Sequence, residues 1–154
     1  MAKVTLQQSR ARQFGSTPYG NKSVLTFKLK TNAIGAAIDS SQAAALAIGD
    51  VVVLGSLAAG MLVTNTTVLV SNAMSAGVTG SLGIAYVDGV DSALLPQNAA
   101  LYGAGLVLNA VGRLRTTTTN ELIKLPKDAY LILTVAGAAN AKVSTVDVIV
   151  EGEL

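Results

Sequence analysis

The stretch Ala44–Val63, AALAIGDVVVLGSLAAGMLV, decides how this chain is read. Its twenty residues carry one charge, Asp50. Twenty apolar residues are about what a membrane-spanning helix needs. Such a helix would hold Asp50 near the bilayer centre at a cost of roughly 2.5–3.5 kcal/mol. It would also contain Gly49, Gly55, Gly60 and three consecutive valines, with no flanking Lys/Arg cluster or aromatic belt. Read in pieces, the stretch parses without cost. Asp39 reads as a helix N-cap with Gln42 as its capping-box partner, Ser40–Ile48 as a short Ala-rich helix, and Gly49 as the residue after it. Gly49-Asp50 is then a turn, Val51–Leu54 starts a buried strand, and Ala58–Gly60 is the next turn. No membrane span is predicted.

The segments on either side alternate with the period of strands. In SVLTFKLK (23–30), Leu25, Phe27 and Leu29 point one way and Thr26, Lys28 and Lys30 the other. MLVTNTTVLVSN (61–72) is rich in β-branched residues. In VTGSLGIAYVDG (78–89), Leu82, Ile84 and Tyr86 alternate against Gly83, Ala85 and Val87, and a DGVD turn (88–91) follows. YGAGLVLNAVGRL (102–114) gives a further strand or two, and ELIKL (121–125) another. AYLILTVAG (129–137) and VSTVDVIVEG (143–152) read as a closing hairpin around AANAK, with Val146, Val148 and Val150 facing in. Short strands about ten residues apart with Gly-rich turns predict an all-β sandwich or barrel. The expectation is a jelly roll of about eight strands with at most one short helix. It occupies residues 23–154 as one domain, preceded by an extended basic arm over residues 1–22.

Composition narrows the chemistry. The 154-residue chain has no Cys and no His. A cysteine nucleophile, a Ser-His-Asp triad and any Cys or His zinc site are thereby excluded. The nine carboxylates are scattered rather than paired, so no catalytic residue, metal ligand or cofactor-binding residue is assigned. Gly55 and Gly60 have P-loop spacing, but Met61 and Leu62 stand where Lys and Ser or Thr are needed. Tyr102-Gly-Ala-Gly105 lacks the strand–turn–helix setting of a dinucleotide site. Asp88 and Asp91 offer too few oxygens for calcium and read as a β-turn. No secretory signal is read in the residues after Lys3, which lack an apolar run.

Charge is low, 13% of residues, against about 25% in ordinary soluble domains, which suits a surface covered by neighbouring subunits. It is also uneven. Residues 1–30 carry Lys3, Arg10, Arg12, Lys22, Lys28 and Lys30 and no acid, whereas residues 31–154 carry five bases and nine acids, a net −4. A basic segment of this kind fits an acidic partner surface. Nucleic acid is disfavoured, because the bases are spread out and few aromatics are interleaved with them for stacking. These six residues are the candidate contact set for an acidic protein partner.

The strings IGDVVVLGSLAAGMLV, TNTTVLVSNAMSAGVTGSLGIAYVDGVD and LPKDAYLILTVAGAANAKVSTVDVIVEGEL, within residues 48–92 and 125–154, resemble the small jelly-roll decoration, or cement, proteins of tailed-bacteriophage heads. The shared pattern is a strand, an AG turn, a β-branched strand, a Gly-rich strand ending in a DG loop, and a final LTV…VDVIVE segment. The resemblance implies a homotrimer on the outer surface of an icosahedral capsid, at three-fold and local three-fold positions. There it would clamp capsomers of the major capsid protein after the shell expands. It implies no enzyme activity, no cofactor and no membrane. A tail, fibre-linked or minor capsid component is the alternative.

Overall fold

The computed structural model describes residues 22–115 and 118–154. The expected arm, residues 1–22, lies outside them except for its last residue. Eight strands are present: β1 (Lys22–Thr31), β2 (Val51–Leu57), β3 (Leu62–Asn72), β4 (Thr79–Tyr86), β5 (Asn98–Val107), β6 (Gly112–Arg115), β7 (Ala129–Ala136) and β8 (Ser144–Glu153). They form two four-stranded sheets, β1-β8-β3-β6 and β2-β7-β4-β5, with every pairing antiparallel. This order is the jelly roll, in which every consecutive pair but β4 and β5 crosses between layers and the last strand lies inside the first sheet.

Period-2 patterning puts one apolar row from each strand between the layers. Val68 and Val70 of β3 and Val146, Val148 and Val150 of β8 meet Leu82, Ile84 and Tyr86 of β4 and Leu131, Leu133 and Val135 of β7, all buried. Leu29 of β1 is buried and Leu25 and Phe27 pack on the core, as the alternation of 23–30 requires. Gly55 lets the two layers close at one side. A Cβ there would lie 2.2 Å from Cε1 of Phe27, so the aromatic ring of β1 occupies the space a side chain on β2 would fill.

Four local expectations fail for identifiable reasons. Among the described residues there is no helix, and Ser40–Ile48 is irregular. Asp39 takes φ 58°, and the Ser40 hydroxyl lies 2.9 Å from the Ala37 carbonyl and 2.7 Å from that of Gln42. Backbone groups of the segment are recruited elsewhere. Leu46 N–H donates to the Gly35 carbonyl, and Asn140 N–H donates to that of Leu46. A nine-residue Ala-rich helix is marginal by itself, so these tertiary bonds win.

Residues 121–125 are no strand. The segment is tied down at Leu125, which exchanges hydrogen bonds with Met61 and Gly60. β7 and β8 are not a hairpin either, because they belong to opposite sheets. Residues 137–143 arch from one layer to the other, and alternation alone does not distinguish an arch from a turn. The Val51–Val53 run is also less buried than expected. It lies on an edge strand with Val51 and Val53 exposed. No described helix is long and apolar enough to cross a membrane.

Candidate functional site

The two outward faces of the sandwich differ sharply in charge. On the β1-β8-β3-β6 sheet, the alternation that sends Leu25, Phe27 and Leu29 inward sends Lys22, Lys28 and Lys30 outward. The same rule on β8 turns out Asp147, Glu151 and Glu153, and β6 presents Arg113 and Arg115. Antiparallel register brings these rows together. Lys28 lies opposite Asp147, and Val24 opposite Glu151. Lys28 Nζ reaches Asp147 at 3.5 Å, and Lys22 Nζ reaches diagonally to Glu151 at 2.5 Å. The Lys22 hydrogen bond holds the Glu151 carboxyl below the usual carboxylate range, with Asn65 and the Arg115 charge adding to it. That contribution is present above the ordinary glutamate pKa and is lost as pH falls through the lowered value. Lys30 forms no ion pair among the described residues.

The face is thus striped: basic on β1, acidic on β8, neutral on β3 (Asn65, Thr67, Leu69), basic on β6. Of the six residues assigned from sequence, Lys22, Lys28 and Lys30 share this face. Lys3, Arg10 and Arg12 lie outside the described residues. Lys22 belongs to β1 rather than to an arm. Arg113 and Arg115 were missed, although their two-residue spacing in a strand was a usable signal. The partial neutralisation of β1 by β8 could be seen only once the two strands were known to pair.

The opposite sheet turns out Val51 and Val53 from β2, Thr79, Ser81, Gly83 and Ala85 from β4, and Tyr130, Ile132, Thr134 and Ala136 from β7, without a charge. The Thr134 hydroxyl is buried there with no hydrogen-bond partner.

The remaining polar features are internal. The DGVD loop is a turn that serves the fold. Asp88 accepts from Lys127 at 2.9 Å and from Val90 N–H, and these bonds hold its pKa below the usual value. Asp91 accepts from the N–H groups of Gln97 at 2.7 Å and Ser92 at 2.9 Å. Lys127 also sits 5.0 Å above the Tyr86 ring. No group of three or more His, Cys, Asp or Glu among the described residues could hold a metal. A cleft of about 140 Å³ between the start of β3 and residues 118–123 is lined by Tyr102, Asn65 and Glu121. Charge is thus carried on the outward face of one sheet, and the outward residues named for the other carry none.

No family model matches the chain, and no curated protein matches it. Solved structures do. A chain from the capsid asymmetric unit of cyanophage Pam1 superposes with a TM-score of 0.63 at 17% identity, covering 100% of this chain and 99% of that one. A chain from the capsid of Ralstonia phage GP4 superposes with a TM-score of 0.60 at 19% identity, covering 87% of this chain and 84% of that one. At these identities the likeness is one of fold, and it spans nearly the whole of each molecule.

Proposed function

We propose that this protein is a structural component of a phage virion, a decoration protein bound to the outer surface of an expanded icosahedral capsid. The observation that carries the reading is the end-to-end match to a chain of a phage capsid asymmetric unit. It stands beside the strand pattern that resembles head decoration proteins. The role is structural rather than enzymatic, and the partner is the major capsid protein. The contact set is Lys3, Arg10 and Arg12 together with Lys22, Lys28 and Lys30, whose excess of positive charge complements an acidic shell. The uncharged outward face of the β2-β7-β4-β5 sheet suits contact between copies, and the assembly is a trimer.

The mechanism follows from linkage. A protein that binds the expanded lattice better than the precursor lattice shifts the equilibrium toward expansion by its differential affinity. Copies that bridge several capsomers multiply modest contacts, because each further contact is intramolecular. Cosedimentation with undecorated heads tests this. Binding to expanded heads at micromolar protein, and not to precursor heads, is expected. No binding to either sinks the decoration role, and binding to tails instead supports the alternative virion location.

A further inference from the structure

β1 and β2 are both terminal strands of their sheets, and their free edges open on the same side of the sandwich. Phe27 against Gly55 closes the middle of that side. Beyond it lies a groove of about 810 Å³ between Lys28–Lys30, the 37–46 segment and Val51–Leu54. The β1 side is partly capped, since Ile38 N–H donates to the Lys30 carbonyl at 2.9 Å.

Among the described residues the β2 side is bare. Its first half has no lysine and no proline, and its register shift comes only at Val53/Gly55. Edge strands left in this state pair with other strands. The groove is also apolar where it is exposed, with Ile38, Val51 and Val53 at 49%, 54% and 55% exposure. Two carboxylates on its lining, Asp39 and Asp50, form no ion pair among the described residues.

We propose that residues 2–8 of this chain, AKVTLQQ, bind in this groove as an added strand on the free edge of β2. Three properties of the sequence fit. Val4 and Leu6 alternate with Thr5 and Gln7, so one face is apolar and matches the groove floor. Lys3 is the segment's charge, and it meets Asp39 and Asp50, which form no ion pair among the described residues, although Asp50 accepts from the Ala47 N–H at 2.8 Å. The connection is long enough, because residues 9–21 span up to roughly 45 Å when extended. The groove begins about six residues along β1 from Lys22, a distance of roughly 20 Å. Docking takes Lys3 out of the contact set proposed above and leaves Arg10 and Arg12 in that connection beside Lys28 and Lys30.

Amide hydrogen exchange on the full chain tests the proposal without any capsid. The amides of Val51–Leu54 are expected to exchange at least tenfold more slowly in the native chain than in a variant carrying Val4→Lys and Leu6→Lys. The Val146–Val150 amides of β8 should be equal in both. A synthetic peptide of residues 1–21 added to the variant should restore the lost protection saturably. Equal exchange at Val51–Leu54 in the two proteins overturns the proposal. Where β8 exchange also rises in the variant, the peptide titration decides, and failure to protect Val51–Leu54 overturns it.

Discussion

Asn140 holds the arch between β7 and β8 as a cross-layer knot. Its side chain is fully buried. Its Oδ1 accepts from the Ser75 N–H at 3.0 Å and the Ser75 hydroxyl at 3.2 Å. Its Nδ2 reaches the Thr31 hydroxyl at 3.1 Å and the Lys142 carbonyl at 2.9 Å. Thr31 in turn meets Ser144 at 2.7 Å. Removing one member of a satisfied buried network leaves the others desolvated and unpaired. Asn140→Ala is therefore expected to cost about 3 kcal/mol in urea unfolding. A cost under about 0.5 kcal/mol would show that water replaces the amide. Tyr102 gives a second test. Burial pushes its phenol well above the ordinary value of 10.0, and the nearby Tyr86 adds to the shift. The unfolded chain ionises near that ordinary value while the folded chain keeps the proton. The stability from this group is thus complete below about pH 10 and is lost above it, by about 1.4 kcal/mol per pH unit. Tyr102→Phe should remove that slope from the alkaline unfolding curve. The smaller effect of Tyr86, also raised by burial, should remain.

At the scale of elements, β1 is an edge strand that carries its charges outward, and this separates binding from stability. Lys28 is more than half exposed in its pair with Asp147, and Lys30 forms no ion pair among the described residues. Exposed charges of this kind contribute little to folding. Lys28→Ala with Lys30→Ala is expected to change unfolding free energy by less than about 0.5 kcal/mol. Cosedimentation with expanded heads should weaken, and the dependence of binding on salt should become shallower. A double variant that binds as well as the native chain would remove β1 from the contact set. β2 is the opposite kind of edge, apolar and unguarded among the described residues, which is why it is the strand expected to take up another.

For the whole molecule, strand order dictates how it fails. β8 is central in its sheet, paired to β1 on one side and β3 on the other. The first strand therefore cannot complete its pairing until the last is made. Deleting residues 144–154 should abolish the fold rather than trim it, giving an unfolded circular dichroism spectrum and no dispersed amide resonances. Topologies dominated by such distant pairings fold in milliseconds to seconds, because loop closure precedes the contacts that reward it. A folded truncated chain would show that β3 pairs adequately without β8.

The sequence by itself determined the class of fold, the location of most strands and which side chains face the core, because a period of two is written locally at Leu25–Leu29, Leu82–Tyr86 and Val146–Val150. It also excluded His- and Cys-based chemistry and placed a basic segment ahead of an acidic body. Only the tertiary structure decided which strands share a sheet. The arch at 137–143 and a hairpin have the same alternation, and Ser40–Ile48 has a helix's composition but gives its backbone bonds to Gly35 and Asn140. For the same reason the charged face was half legible. Lys28 and Lys30 can be read from their own strand, but Asp147 and Glu151 become their neighbours through a pairing between opposite ends of the chain, which no local pattern records.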